Sequence, residues 1–589
     1  MKNETSIQID KPERWDHAFD PNMTDADVQE VLTCQAFSPI EQKKFPKTMP
    51  LDAIIRNDGA IRHYEPGDIL IKEGEYGQTA FFILSGEVVV LFHNNLVFQQ
   101  QTGEIKIKKN FKQLLAQLFN ETMPAETRDI SKYQNDGHHI ENNPNAHFKS
   151  RYRLKNYQQY TEASDAISLS APDYIGEISA IKHSPRTATV VAKNKVKVFE
   201  IRWQGLKEIL NRSTYLSDKM EISRKLRGTS NLLTQVDLFK KLSPNMIENI
   251  DNHLLHEEFG DAKWYLSYEK LHNKTGKARL KNETLIVKEG EHIDGLLIVR
   301  RGFVRVSVEL GNGFHPLGFL SVGDTIGLEE LKYQFFNQTK NTAWQCTLHA
   351  IGYAEIVWVP TPIIFNTLFK VLKIKPSRNK DYSQLCHQYT IEDKLPKTIN
   401  ELYQTKIKNK QLDPGLSEFL IASRFINGSA TMVINLEKCV HCDDCVKACS
   451  RAHNNNPRFL RQGEKYKNLM FANACMHCHD APCLVDCPTG AMQRDKADGL
   501  TLIDDVLCIG CGNCASNCPY NAIRLVEISD DKGRKIKNQK GQAVLKATKC
   551  DYCIDQVVSP SCQQSCPHGA LERINWKNMD HPVSWLKAL

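Results

Sequence analysis

The sequence predicts a multidomain α+β protein: two β-rolls with flanking helices, then a C-terminal domain built on cysteine motifs. Three observations carry this. Sixteen of the nineteen cysteines fall between Cys439 and Cys566, in four groups of four. An N-terminal stretch alternates short apolar runs with glycine-marked turns, the pattern of antiparallel strands joined tightly. A second stretch repeats the first, and a repeat of that length points to tandem domains.

Length and composition agree. At 589 residues the chain exceeds one core, so three or four domains are expected. A hydrophobic content of 41% and a charged content of 25% are ordinary for a globular protein. The net charge of +7 comes without a dense Lys/Arg stripe interleaved with aromatics, so no nucleic-acid partner is expected. The opening MKNETSIQIDKPERW has no apolar core and no twin arginine, so no export signal is expected. No apolar run reaches the roughly eighteen residues of a transmembrane segment. A cytoplasmic location is expected, since a reducing compartment suits the cysteine motifs and the unpaired cysteines, with any attachment to the inner membrane made through a partner. Cys34, Cys346 and Cys386 lie outside the motifs and are expected to be small buried apolar residues.

Residues 1–30 read as a polar N-terminal segment. From about residue 64 the text HYEPGDILIKEGEYGQTAFFILSGEVVVLFHN, punctuated by Gly67, Gly74, Gly77 and Gly86, reads as the first β-roll, within 31–230. Residues 95–168 break the rhythm and are expected to be a long insertion with one helix at 111–119. The strand pattern resumes at Ile167. Residues 196–235 read as a helical stretch, with apolar residues at three and four spacing in the first part.

Within this roll, Ile175-Gly176-Glu177-Ile178-Ser179-Ala180 is followed by Ser184-Pro185-Arg186-Thr187-Ala188-Thr189-Val190. A glycine opening a short helix exposes backbone N–H groups to an anion. Arg186 can close on the same phosphate, and Glu177 can accept from a sugar hydroxyl. The plain alternative is a helix cap and a surface arginine. The β-roll frame favours a pocket for a ribose cyclic phosphate. With EPGD, EGE-x-G, SGEV, GE and PR-x-AT, this region resembles the cyclic-nucleotide-binding domains of protein kinase A regulatory subunits and bacterial catabolite activators. The resemblance implies a regulatory cyclic nucleotide at Gly176, Glu177, Ile178, Ser179, Ala180, Arg186, Thr187 and Ala188, with helices after residue 196 closing over the base. The sequence departs from the family in its insertion and in Ser179, where the family has leucine or another apolar residue. Thr187 is where some cGMP-preferring members carry threonine, and the choice between cAMP and cGMP stays open.

The second roll is expected at 231–375. LLTQVDLFKKLSPNMIENI is its helical entry, and KNETLIVKEGEHIDGLLIVRRGFVRVSV parallels residues 65–90. Gly327-Leu328-Glu329-Glu330 and Lys340-Asn341-Thr342-Ala343 are expected to stand where the first copy has Gly-Glu and Pro-Arg-Thr-Ala. No arginine is at its place, so this cassette is expected to be degenerate and structural. Residues 376–428, broken by Pro376, Pro396 and Pro414, read as a linker that also packs on the next module.

The cysteine domain is expected at 429–575, entered by the strand TMVINLEKC, with a tail at 576–589. Cys439, Cys442, Cys445 and Cys449 are spaced x2, x2, x3, and Cys508, Cys511, Cys514 and Cys518 repeat that spacing. Cys475, Cys478, Cys483 and Cys487 have gaps x2, x4, x3, and Cys550, Cys553, Cys562 and Cys566 have x2, x8, x3. A C-x2-C-x2-C loop turns three thiolates to one iron–sulfur cube, while the fourth cysteine points to another. Zinc prefers separated C-x2-C pairs, and disulfides do not suit a chain without a secretion signal. Four motifs therefore give four [4Fe–4S] clusters. PTGAM, PYNAI and PHGAL follow the proline-marked motifs as in bacterial two-cluster ferredoxins. Residues 431–572 resemble the four-cluster electron-transfer subunits of dimethyl sulfoxide reductase and formate dehydrogenase. The exported fourth ligand and this resemblance together imply nested pairing. Cys439, Cys442 and Cys445 pair with Cys566, and Cys550, Cys553 and Cys562 with Cys449. Cys475, Cys478 and Cys483 pair with Cys518, and Cys508, Cys511 and Cys514 with Cys487.

The expected function is a cyclic-nucleotide-regulated iron–sulfur electron-transfer protein or oxidoreductase subunit. It would pass electrons between redox partner proteins, such as a molybdopterin, flavin or quinone-linked oxidoreductase. The alternative is a redox-sensing signalling protein whose clusters modulate nucleotide or partner binding, but a sensor needs only one cluster. No helix-turn-helix follows either roll, which argues against a transcription factor. No catalytic site of the chain's own is visible: Gly311-Asn312-Gly313 lacks the third glycine of a dinucleotide loop. Nucleotide control is expected to run through the second roll and residues 376–428, altering partner docking and leaving the cluster potentials little changed.

Overall fold

A computed structural model describes residues 17–91, 98–100, 128, 152–154, 157–158, 167–221, 232–233, 236, 238–239, 242–266, 268, 283–310, 313–337, 342–370, 414–453, 455–530, 533–538, 540–554 and 560–576. The chain forms two compact units, Met1–Arg224 with Met432–Arg573, and Lys225–Thr431 with Ile574–Leu589.

The first unit opens with α1 (Asp25–Thr33) and α2 (Leu51–Asp58). Thr24 caps α1 through a reciprocal box with Asp27, satisfying N–H groups that the helix itself cannot. Val28, Val31, Ile54 and Ile55 turn inward, against a ring cluster in which Phe37 lies 4.8 Å from Phe82 and 5.5 Å from Phe199. The strands that follow are β1 (Gly59–Tyr64), β2 (Ile69–Ile71), β3 (Thr79–Ser85), β4 (Glu87–Leu91), β5 (Phe98–Gln100), β6 (Tyr152–Leu154), β7 (Ile167–Ser170) and β8 (Tyr174–Ile175). Then come α3 (Glu177–Lys182), β9 (Thr189–Ala192), β10 (Val196–Arg202) and α4 (Trp203–Leu210). Two four-stranded antiparallel sheets, β1-β10-β3-β8 and β2-β9-β4-β7, enclose Phe81, Ile83, Val88, Val190 and Val198.

One expectation is corrected here. Residues 196–202 are a strand, and the helix begins only at Trp203. The run V-K-V-F-E-I-R alternates with period two, and its β-branched residues pair across to β3, Val198 opposite Ile83 and Phe199 opposite Phe82. Strands β5 and β6 pair antiparallel within the insertion. The helix expected at 111–119 lies outside the described residues.

The second unit holds the second roll. After α5 (Pro244–Asp251) come β11 (Leu255–Gly260), β12 (Thr284–Val287), β13 (Gly295–Leu310), β14 (Gly313–Leu320) and β15 (Thr325–Ile326), then α6 (Leu328–Asn337) and β16 (Thr347–Pro360). They make one six-stranded sheet ordered β11-β16-β13-β14, with β12 on β16 and β15 on β13. The described end of the expected linker, α7 (Pro414–Ala422), belongs to this unit. Buried Arg305 bonds Glu283 at 2.7 and 2.9 Å and also pairs with Glu418 of α7, while Arg424 stacks 3.8 Å from the Trp264 ring. Cys346 is fully buried and Cys34 half-buried, both with thiols raised by burial. Cys386 lies outside the described residues.

The cysteine domain returns to the first unit. Its elements are β17 (Thr431–Asn435), α8 (Asp444–Ala452), β18 (Leu460–Tyr466), β19 (Leu469–Asn473), β20 (Met492–Arg494), β21 (Thr501–Ile503), β22 (Arg524–Glu527), β23 (Leu545–Thr548) and β24 (Leu571–Ile574). The sheet order β18-β19-β17-β24 sets the domain's first strand beside its last. The Asn435 N–H donates to the Ala570 carbonyl at 2.8 Å. The first and fourth motifs are thereby brought to the same end, while β20–β21 and β22–β23 frame the middle two.

Candidate iron–sulfur and nucleotide sites

The fold gathers the cysteines in fours. Cys475, Cys478, Cys483 and Cys518 line one concavity of about 330 Å³, and Cys487, Cys508, Cys511 and Cys514 line another of about 340 Å³. Cys550, Cys553 and Cys562 lie close to Cys449, all four buried. Cys439 and Cys445 lie beside Cys566, with Cys442 exposed on the same loop. In each group cysteines of one motif meet a cysteine from another: Cys518 with the second motif, Cys487 with the third, Cys449 with the fourth and Cys566 with the first. Burial, then the neighbouring thiols, pushes Cys478 and Cys483 well above the ordinary thiol range and Cys514 to about 12. Such thiols resist becoming thiolates by themselves. Bound iron removes that penalty, because it supplies the positive charge that four converging thiolates need.

Buried cations around the groups fit the same reading, because a thiolate-held cluster carries net negative charge. Lys546 donates to the Asp505 and Cys508 carbonyls, each at 2.7 Å, and Lys549 donates to the Thr501 and Cys550 carbonyls. Arg573 reaches the Cys550 Sγ at 3.0 Å and the Cys475 carbonyl at 3.4 Å, joining two groups. Arg494 bonds the Cys478 and His479 carbonyls at 2.7 and 2.8 Å. His453 bonds the Cys449 carbonyl at 2.7 Å and Asp551 at 2.9 Å. Sequence reasoning missed these residues. Lys549 directly precedes Cys550 and Arg573 follows the last motif, and a lone cation beside a cysteine motif was the available signal.

These contacts give the groups an order. Cys449 and Cys566 cross between the first and fourth motifs, Arg573 links the fourth to the second, and Cys487 and Cys518 cross between the second and third. Both ends of that order carry an exposed cysteine, Cys442 and Cys511.

In the first roll, Gly176 has φ of +77°, and a Cβ there would fall 2.3 Å from Arg186 Nη1. Glycine is required twice over. Arg186 is buried, donating to the Gly176 carbonyl at 2.6 Å and the Thr79 carbonyl at 2.7 Å. Burial pulls its pKa down to about 10, against the charges of Glu200, Glu177 and Glu75, so it stays cationic at neutral pH. Glu177, Ser179, Ala180 and Ala188 are buried beside it, with Ile178 and Thr187 half-buried. The departure at Ser179 has a local reason: its hydroxyl donates to the Pro185 carbonyl at 3.1 Å, bracing the cassette from within.

The second roll corrects the expected alignment. Gly74 N–H donates to the Arg186 carbonyl, and Arg186 N–H to the Glu75 carbonyl. In the second copy Gly290 N–H donates to the Trp344 carbonyl, and Trp344 N–H to the Glu291 carbonyl. Trp344, not Asn341, occupies the arginine's place. The shift arises because α6 has ten residues where α3 has six. The Ala180 N–H to Gly176 and Leu331 N–H to Gly327 bonds likewise set Leu328 where Glu177 stands. The second cassette thus lacks both the guanidinium and the carboxylate, and a Cβ on Gly327 would touch the Trp344 ring at 2.9 Å.

Buried Glu330 in this cassette has its pKa raised by burial from 4.5 to about 7. Its folded pKa lies above its unfolded one. The stability it contributes is therefore fully present below pH 4.5 and lost as pH rises to about 7. Glu330→Gln should remove that dependence, raising stability at pH 8 by about 3 kcal/mol relative to the parent. Urea unfolding at pH 5 and pH 8 measures it.

Residues 466–575 match the family model of a 4Fe–4S dicluster domain. Electron transport protein HydN of Escherichia coli (strain K12) is 33% identical over 154 residues, covering 24% of this chain and 85% of HydN. Through its C-terminal domain, the chain belongs to the 4Fe–4S electron-transport family of HydN. Protein NrfC of the same strain is 32% identical over 180 residues, covering 28% of this chain and 72% of NrfC. This 4Fe–4S family member is also similar to the regulatory domain of Toxoplasma gondii PKA solved with cAMP, at 14% identity over 60% of this chain and 95% of that one. The TM-score is 0.19, so that likeness decides nothing, and the β-rolls rest on their own sheet order. The dicluster match begins at Tyr466 and so takes in the second, third and fourth motifs but not the first. Among the described residues no helix is long and apolar enough to cross a membrane.

Proposed function

We propose that this iron–sulfur protein carries electrons through four [4Fe–4S] clusters between redox partner proteins, under control of one cyclic nucleotide bound in the first roll. The observation that carries the reading is the gathering of sixteen cysteines into four groups, each completed by a cysteine exported from another motif. When bound, the clusters supply one-electron transfer at low energetic cost. The chain's own residues do the rest. Four thiolates hold each cluster, and Lys546, Lys549, Arg494 and Arg573 balance charge at the clusters of the second, third and fourth motifs. The intervening groups are kept from water, while Cys442 and Cys511 mark the two ends where partners dock. Domain limits near 31–230, 231–375 and 429–575 follow.

The nucleotide reading rests on Arg186 and Glu177 sharing one buried cassette, and on the loss of both partners from the second. It expects one site per chain. The decisive experiment is anaerobic copurification of the redox partner, followed by electron-transfer rates with and without saturating cAMP or cGMP. Expected is a changed rate or partner affinity, in the range of about 5–150-fold. An unchanged rate and affinity with nucleotide shown to be bound contradicts the regulatory half alone.

A further inference from the structure

The first roll and the second and third cysteine groups lie in one compact unit; besides Arg128 of the insertion, which bonds Asp505 at 3.1 Å and the Ser529 carbonyl, they touch at two places that adjoin the nucleotide cassette. The first is the turn beneath the nucleotide cassette. Tyr76 N–H donates to the Lys496 carbonyl at 3.0 Å, and Gln78 Nε2 to the Arg494 carbonyl at 3.0 Å. The Arg494 guanidinium stands 5.1 Å from the Tyr76 ring centre. Gly499 packs on the same ring so closely that a Cβ would fall 2.2 Å from it, and its φ of +68° also favours glycine. The second place is α4. The Gln204 side-chain carbonyl accepts from Gly490 N–H at 3.1 Å and from the Trp203 indole at 3.2 Å, while Lys207 Nζ donates to the Val485 carbonyl at 2.7 Å. Trp203 also packs edge-on against His183, at the end of α3, at 4.8 Å. Both contacts therefore begin at parts of the roll that adjoin the cassette.

They end at a cysteine group. Arg494 is 4% exposed and binds the Gly499 carbonyl at 2.7 Å as well as those of Cys478 and His479. The loop that Tyr76 holds and the backbone of Cys478 are thus fixed by one guanidinium. A buried cation favours the more negative, reduced state of a nearby redox centre, so its placement helps set the potential. On the Arg186 side, the same turn supplies the Glu75 carbonyl to its N–H and the Thr79 carbonyl to its Nη2. A phosphate that engages Arg186 competes with the second of these bonds.

We propose that the nucleotide site is coupled directly to the Cys475–Cys478–Cys483–Cys518 cluster, through Tyr76 and the positioning residue Arg494, with α4 as a second grip. This rests on the function proposed above and changes its expected route. The second roll is not the relay, and the potential of one cluster is itself the readout. Binding linkage is reciprocal, so reduction of that cluster must alter nucleotide affinity by the same factor by which nucleotide alters the reduction equilibrium.

The test uses the full, iron-loaded chain under anaerobic conditions. Equilibrium dialysis with labelled cAMP, and separately cGMP, is run on oxidised and on dithionite-reduced protein, beside an EPR-monitored potentiometric titration. Expected is at least about a fivefold difference in Kd between redox states. A tenfold difference corresponds to a shift of about 59 mV in one cluster midpoint. Arg494→Ala risks losing the cluster itself, so the deciding variants are on the roll side. Tyr76→Ala with Lys207→Ala should keep the iron content and nucleotide binding and abolish the difference, whereas Tyr76→Phe should retain it. Equal affinity in both redox states overturns the coupling while leaving the proposed function intact. A difference that persists in the double variant overturns the route. Failure to bind either nucleotide in either state overturns the nucleotide reading and the coupling together.

Discussion

Arg186→Ala should weaken cyclic-nucleotide binding by about 2–5 kcal/mol, the cost of removing one partner from a buried charged contact. That is roughly 30- to 4,000-fold in Kd, at about 1.4 kcal/mol per factor of ten. The structure sharpens the expectation. Arg186 is a buried cation near Glu200, Glu177 and Glu75, so its loss removes the positive charge that offsets them and leaves the cassette more hostile to an anion. Arg186→Lys should recover only part of the loss, because an ammonium cannot bond both carbonyls and a phosphate in the arginine's fork. Placing an arginine in the second roll, as Trp344→Arg, should create no second site. Leu328 stands where the carboxylate belongs, and a buried indole would be exchanged for an unpaired charge. Calorimetry of the three variants reads all of this. Unchanged affinity in Arg186→Ala, or two equivalent sites in the parent, would refute the assignment.

A second large effect is expected from Cys487→Ser. Cys487 belongs to the second motif by position but lines the concavity of Cys508, Cys511 and Cys514, the exported-ligand pairing expected from the sequence. The variant should therefore damage the cluster held by the third motif and lower the iron count from about sixteen toward twelve or fewer. Cys518→Ser should damage the cluster of the second motif instead. EPR spectra of the two reduced variants should differ in which signal disappears. Loss of the same signal in both, or retention of all iron in either, would contradict the crossed grouping.

The sequence made the cysteine domain legible because its chemistry is local. Three ligands on one loop and an exported fourth are written in x2 and x3 gaps, and the fold brings the exported cysteines Cys449, Cys487, Cys518 and Cys566 beside cysteines of the other motifs. What joins the groups was not legible. Lys546, Lys549 and Arg494 are buried cations that bond backbone carbonyls, and a carbonyl leaves no mark in a sequence; Arg573 bonds a carbonyl and the Cys550 sulfur, which no spacing rule connects to it. The rolls were legible from alternation and glycine punctuation, with one error of period: V-K-V-F-E-I-R satisfies a strand, and only pairing with β3 decides it. The second cassette was misaligned because Thr-Ala recurs in both copies, whereas the equivalence is set by main-chain bonds to Trp344 after a longer helix. The contact of Tyr76 with the loop of Arg494 was invisible for a different reason: more than four hundred residues separate the two positions.

The central claim is that one chain holds four clusters and one nucleotide. Native mass spectrometry of the anaerobically purified full chain, with cAMP or cGMP added, reads both numbers at once. Mass increments are expected for about sixteen irons with their sulfides in four equal steps, and for a single nucleotide that is lost in Arg186→Ala. A chain that carries two clusters, zinc in place of iron, or two nucleotides would contradict it.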